Sequence, residues 1–205
     1  MIEEQTSQTD PIHDRNYSGK SGPSRGEQRL SVLSGQIRFR QPREEDGPGI
    51  WQLVRSTGVL DLNSAYSYMM LCKYFSGTCV AAEHDNEIIG FLSAFKPPGR
   101  PDEIFVWQVG VAPSQHRKGM GSTMLQVLLK RKECAGVRFL VTTITPSNIP
   151  SQSLFRKLAR NVGARCEVEE CFPADLFPGS NHEAELMYRI GPITSASIYE
   201  REAIR

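Results

Sequence analysis

The chain has 205 residues and a mass of 22.9 kDa, room for one ordinary domain with a little to spare at roughly 100–200 residues per domain. Its composition, 39% hydrophobic and 23% charged, supports a sizeable core and excludes a coiled coil, a collagen and a disordered polymer. Lys and Arg number 24 against 23 Asp and Glu, a net charge of +1 with a pI near 7.7, so no global field draws the chain to nucleic acid or an anionic membrane, and any bound anion must be met by a local cluster.

Five cysteines, Cys72, Cys79, Cys134, Cys166 and Cys171, form an odd set without a CxxC pair, and no His stands at zinc-finger spacing. This disfavours a disulfide framework and a structural metal, and points to a reducing cytoplasm. No run of 18 apolar residues is present, and the opening MIEEQTSQTDPIHDR has neither a basic nor an apolar signal region; neither a membrane span nor a secretory signal is expected.

In chain order, residues 1–34 are rich in Ser, Gly, Gln, Asp and Arg and read as a flexible tail with too few aliphatics to offset the entropy of ordering. The domain is expected over residues 35–191. Gln36–Gln41 alternates as a strand, and Ile50, Trp51, Leu53 and Val54 recur at helical spacing after the broken EEDGPG. Leu62–Phe75 reads as a helix with potential caps at Asp61, Asn63 and Ser64. TCVAA, IIGFLSAF and IFVWQVGV are strand-like runs, the first two joined by a hairpin turn at Asp85-Asn86, and the nearly apolar third is expected at the centre of the sheet, covered on both faces. Next comes GMGSTMLQVLLKRKECAG, a helix with Met124, Leu125, Leu128 and Leu129 on one face, Lys130, Arg131 and Lys132 near its C-terminus, and Gly136 as its stop. VRFLVTTIT is a strand, NIPSQSLFRKLARNVG a helix with Pro150 in its first turn, and RCEVEECF and AELMYRI are strands. Residues 192–205 form an extension, a frayed end or a strap onto a partner subunit. About seven strands and four helices in α/β order result, with no internal repeat.

Chemistry concentrates in VGVAPSQHRKGMGSTMLQVLL, a strand, a basic loop, Gly119-Met120-Gly121 and a helix. Glycines at a helix start allow close backbone approach and leave N–H groups free, with the positive end of the helix dipole behind them, which suits a pyrophosphate. His116, Arg117 and Lys118 add local charge. Met124 stands where a dinucleotide fingerprint needs its third glycine, and the Gly-Lys-Ser/Thr of a P-loop is absent. A GxG pair also occurs as a simple turn.

Val109, Val111, Pro113, Gly119 and Gly121 match a V-x-V-x-P-x-x-[QR]-x-x-G-x-[GA] pattern, followed by Asn148-x-x-Ser151-x-x-Leu154-Phe155 on the next helix. On these motifs the chain resembles the GNAT N-acetyltransferases. The resemblance implies an α/β GNAT fold, a mixed sheet splayed between its fourth and fifth strands, with acetyl-CoA as cosubstrate and no metal. It implies a cofactor-binding set of Val109, Gly110, Val111, His116, Arg117, Lys118, Gly119, Met120, Gly121, Ser122 and Asn148. His116 occupies the usual Arg/Gln position, Arg117 replaces a frequent Gly, and Phe155 stands where many members have a Tyr as general acid.

Most of residues 36–191 further resembles the L-2,4-diaminobutyrate acetyltransferases of ectoine biosynthesis, through DLNSAYSYMMLCKYF, FVWQVGVAP, TPSNIPSQSLF and NHEAELMYRI. This implies acetyl transfer to the γ-amine of diaminobutyrate in a cytoplasmic homodimer, with no nucleic acid or membrane partner. An alkyl ammonium titrates near 10.4, so freeing its lone pair at neutral pH costs on the order of 4 kcal/mol and calls for a base. Trp107 falls where many GNATs place a Glu, so the base comes from elsewhere or through water. Glu185 and His182 are the candidates for deprotonation and Tyr66 a third catalytic candidate; Asp61, Tyr66, Trp107, His182 and Glu185 are the candidate substrate contacts. Each has a plainer reading: Asp61 as a helix cap, Tyr66 as a half-buried helix residue, Trp107 as core, Glu185 as solvent-facing or salt-bridged. HEAEL lacks the second His of a zinc motif. A GNAT acting on another amine, and a non-catalytic acyl-CoA-binding module, are the competing readings.

Overall fold

A computed structural model describes residues 36–179 and 182–199. The expected tail over residues 1–34 lies outside the described residues, as do residues 200–205. The elements run β1 (Arg38–Arg40), α1 (Gly47–Thr57), α2 (Ala65–Tyr74), β2 (Val80–His84), β3 (Glu87–Phe95), β4 (Glu103–Val111), α3 (Met120–Leu129), β5 (Phe139–Ile144), α4 (Ile149–Asn161), β6 (Arg165–Phe172), β7 (Glu185–Gly191) and α5 (Ser195–Tyr199). The seven strands form one mixed sheet in the order β1-β2-β3-β4-β5-β7-β6, in which only β4 and β5 pair parallel.

Two apolar layers flank the sheet. On one face the stripe Met124, Leu125 and Leu128 of α3 packs with Leu158 and Ala159 of α4 against Val80, Leu92, Ile104, Leu140, Tyr188 and Ile190. On the other, Ile50, Leu53 and Val54 of α1 and Tyr68, Leu71 and Cys72 of α2 pack on Phe91. This helix-sheet-helix layering follows from the two periodicities in the sequence, since each helix buries one stripe and the central strands bury both faces. Asp85 and Asn86 both adopt positive φ, 50° and 62°, the backbone that a two-residue hairpin needs and that Asn and Asp tolerate best after Gly.

Three expectations are corrected. The third helix ends at Leu129, not near Gly136, because Arg131 turns back and its guanidinium donates to the carbonyls of Ser76 at 3.1 Å, Gly77 at 3.2 Å and Cys79; a tertiary contact overrides helix propensity there. Strand β4 is central yet not fully covered, with Trp107 at 42% exposure and Phe105, Val109 and Val111 half-buried. Beyond Gly191, residues expected outside the domain pack onto it: Ile193 is 3% exposed, its N–H donates to the Arg138 carbonyl at 2.7 Å, and Ile198 rests on the core.

Pairing between β4 and β5 joins Glu103 to Phe139, Ile104 to Leu140 and Phe105 to Val141 and then stops, although both strands continue. The sheet splays from Val106 onward. Glu103, 5% exposed, marks the closed end and accepts from Arg100 and from Arg189 of β7, each at 3.1 Å.

Candidate active site

The splay opens a cavity of about 380 Å³ between β4 and β5, lined by Asp61 and Asn63 from the α1–α2 loop, Trp107, Gln108 and Val109 of β4, Thr142 and Thr143 of β5, Asn148, Ser151 and Phe155 of α4, and His182 and Glu185 around the start of β7. Its described lining holds two carboxylates, Asp61 and Glu185, one imidazole and no Lys or Arg. The chemistry favoured by such a lining is capture of a small cation.

Glu185 opens β7 and is half-buried. Burial pushes its carboxyl pKa above the ordinary range, as do the nearby Asp61 and Glu183 carboxylates, while the Thr143 hydroxyl and His182 act the other way. A carboxylate with a raised pKa is a stronger base, the direction required for taking a proton from an ammonium. His182 lies beside it, its ring stacked on Phe177 at 3.7 Å between centroids. Its Nδ1–H donates to the Glu183 carbonyl at 2.6 Å, which leaves Nε2 as the acceptor when the ring is neutral. Glu183 in turn accepts from the Ser147 N–H at 3.0 Å, tying this segment to the β5–α4 loop.

Asp61 is not a helix cap. Ser64 takes that role for α2, its Oγ accepting from the Ser67 N–H at 3.2 Å. The main chain around Asp61 is held instead by Gln108, whose Nε2 donates to the Asp61 carbonyl at 2.8 Å. Trp107 presents its exposed ring to the cavity rather than to the core. Tyr66 does not join them: it does not line the cavity and is 65% exposed, because it lies on the outer face of α2 while Tyr68, two residues on, points inward at 0% exposure.

The expected cofactor segment adjoins the cavity. Gly119 has φ +77°, a left-handed conformation that glycine adopts without strain, and it caps α3. The first bond of the helix runs from the Thr123 N–H to the Gly119 carbonyl at 3.0 Å, so the amides of Met120, Gly121 and Ser122 face outward from the helix end. The Met120 side chain is buried at 4% exposure, so its backbone is what the loop presents. A Cβ on Gly121 would stand 3.3 Å from Leu154 and 3.7 Å from Val109, so glycine there lets α3 seat against α4 and against a cavity wall. Arg117 and Lys118 are exposed on the loop, Lys118 with its Nζ 3.2 Å from Gln115 Oε1. His116 is exposed as well, its Nε2–H donating to the Val111 carbonyl at 3.0 Å.

Along β4, the N–H groups of Gln108 and Ala112 point toward β3, donating to Ser93 Oγ and the Ile89 carbonyl. From Gln108 onward, strand alternation therefore turns the Gly110 amide toward β3 as well, and the amides of Val109 and Val111 toward the opened side, while Trp107, just before, has no partner on β3 where the β3–β4 register shifts by one residue. Unpaired strand amides, outward helix amides and a basic loop together form a cradle suited to a long ligand with amide groups at one end and a pyrophosphate at the other. Asn148 sits at the base of the gap, capping α4 by accepting from the Ser151 N–H at 3.1 Å. The residues that sequence reasoning missed as site residues are Gln108, Thr142, Thr143 and Asn63; Gln108 and Asn63 stand inside quoted motifs without a site role, Thr142 and Thr143 in none, and only the fold brings the four together.

Residues 48–159 match the family model described as acetyltransferase (GNAT) family. The chain belongs to the GNAT acetyltransferase family. This acetyltransferase is 50% identical over 162 residues, 79% of its own length and 85% of the relative's, to the L-2,4-diaminobutyric acid acetyltransferase of Halalkalibacterium halodurans. It is 51% identical over 158 residues, 77% and 91% of the two chains, to the enzyme of the same name from Marinococcus halophilus. Its fold is similar to the solved structure of diaminobutyrate acetyltransferase from Paenibacillus lautus in complex with its substrate L-2,4-diaminobutyric acid and coenzyme A, with a TM-score of 0.76, 45% identity and coverage of 78% of this chain and 97% of the other. The cradle described above fits coenzyme A on its own geometry. The competing reading as a non-catalytic module gives way to that of an acetyl-CoA-dependent N-acetyltransferase.

Proposed function

We propose that this acetyltransferase moves the acetyl group of acetyl-CoA to the γ-amine of L-2,4-diaminobutyrate, giving N4-acetyl-L-2,4-diaminobutyrate for ectoine biosynthesis. The observation that carries this reading is the pair of carboxylates, Asp61 and Glu185, in a cavity whose described lining has no Lys or Arg, together with the diaminobutyrate-bound relative of the same fold. Asp61 anchors the α-ammonium, Trp107 walls the carbon chain, and Glu185 with His182 takes a proton from the γ-ammonium. The freed amine attacks the thioester carbon, forming the C–N bond, and a β4 amide on the opened side receives the oxyanion. Collapse breaks the C–S bond. Phe155 has no proton to give, so the thiolate takes one from the amine nitrogen, which becomes the amide. Val109, Val111, Gly119, Gly121 and Ser122 hold the cofactor through their backbone, and Arg117 and Lys118 face its phosphates. A thiol-release assay over a panel of diamines and aminoglycosides tests the reading: kcat/KM highest for L-2,4-diaminobutyrate supports it, and preference for a polyamine, or no turnover, overturns it.

The same reading places the enzyme in the cytoplasm as a homodimer. Its five free cysteines suit a reducing compartment, and the exposed Val168, Phe172 and Leu176 on and beside edge strand β6 suit a second copy. Sedimentation equilibrium at twice 22.9 kDa is the expected result, and the mass of one chain contradicts it.

A further inference from the structure

The Asp61 carboxylate stands on residues 58–64, a connection between α1 and α2 with neither helix nor strand. Two buried polar side chains grip that connection. Gln108 of β4, 6% exposed, donates from Nε2 to the Asp61 carbonyl at 2.8 Å and accepts at Oε1 from the Tyr68 hydroxyl at 3.2 Å. The same hydroxyl accepts from the Asn63 N–H at 3.3 Å. Behind them, the Gln108 N–H donates to Ser93 Oγ at 3.1 Å, Ser93 being wholly buried, and the buried Tyr68 ring meets Phe91 edge-on at 6.2 Å. A continuous run of hydrogen bonds thus passes from β3 through β4 to the main chain on both sides of Leu62.

We infer that Gln108 and Tyr68 are positioning residues for acceptor recognition, a neutral clamp that presents the Asp61 carboxylate to the cavity. Two features separate this from ordinary core packing. Gln108 itself lines the cavity between Trp107 and Val109, and its two polar ends hold the Asp61 loop, Nε2 directly and Oε1 through the Tyr68 hydroxyl. The clamp is also uncharged: a Lys or Arg in its place would set a cation beside Asp61, and a Glu would bring only acceptor oxygens to the Asp61 carbonyl, with no N–H to donate. A neutral amide and phenol hold the loop without altering the charge seen by a cationic acceptor. The inference rests on the reading of Asp61 as the ammonium anchor, and it assigns the clamp an effect on the acceptor alone.

The test is a kinetic cycle on the full chain with Tyr68→Phe, Gln108→Met, Asp61→Asn and the Tyr68→Phe/Asp61→Asn double variant. Tyr68→Phe keeps the buried ring and removes one atom, and Gln108→Met keeps the volume. The expected result is a KM for L-2,4-diaminobutyrate raised about five- to tenfold in each clamp variant, the size of one or two lost hydrogen bonds, with KM for acetyl-CoA within twofold of the parent. In the double variant, KM for diaminobutyrate should match that of Asp61→Asn, since a displaced loop costs nothing further once the carboxylate is gone. If Asp61→Asn leaves that KM unchanged, the anchor reading itself is wrong. If Asp61→Asn raises it while both clamp variants do not, the anchor stands and the clamp is refuted. Equal rises in both substrates' KM, or a double variant that multiplies the two effects, also refute the clamp, because they indicate general loosening of the fold.

Discussion

The environment of Glu185 bears on stability and, in the proposed reaction, on its strength as a base, in opposite senses. Burial raises its pKa, so the folded chain binds a proton more tightly than the unfolded one. The resulting penalty on stability is absent below the ordinary carboxylate range and complete above the folded pKa. Glu185→Gln should therefore raise Tm near neutral pH, with a gain that shrinks and disappears on acidification through that window. The same substitution should lower kcat/KM for the diamine by about 10²-fold or more, the usual scale for a general base, and abolish the acidic limb of its pH profile. A variant with unchanged kcat/KM and pH profile removes Glu185 from the reaction. This residue was legible in the sequence through NHEAEL and its position opening a strand. The difference between Asp61 and Tyr66 was not: both sit in one motif, and only the cap at Ser64 and the outward face of α2 show that the first reaches the cavity while the second does not.

At the scale of elements, the gap between β4 and β5 makes the site, and its two sides are differently legible. The α3 end could be read directly, because a strand followed by a basic loop and paired glycines is a local pattern. The role of Gly121 differs in kind from that reading. Its missing Cβ admits Leu154 and Val109 rather than a ligand atom, so the glycine acts through the seating of α3. Gly121→Val should push α3 away from α4, tilt the outward amides and weaken acetyl-CoA binding by tenfold or more in calorimetry; binding within twofold of the parent contradicts this. The early end of α3 was illegible because it depends on Arg131 finding carbonyls more than 50 residues away, a contact with no local trace. The same is true of β4, whose apolar run reads as fully covered until the splay is known.

Across the whole molecule, the net charge of +1 conceals two local imbalances, a basic loop at Arg117 and Lys118 and an acidic cavity at Asp61 and Glu185. One suits the anionic cofactor and the other the cationic acceptor, and the sheet splay brings them to adjoining ends of one cleft. The seven strands and their flanking helices follow from periodicity, turn residues and caps, all of which act within a few residues. Gln108, Thr142 and Thr143 could not be picked out that way, since a polar residue inside an apolar strand declares its partner only once the sheet is assembled. In the proposed reaction one particular nitrogen, the γ-amine, is acetylated. NMR of the product formed from acetyl-CoA and L-2,4-diaminobutyrate by the full chain should show N4-acetyl-L-2,4-diaminobutyrate; acetyl on the α-nitrogen, or unmodified diamine, would overturn the proposal.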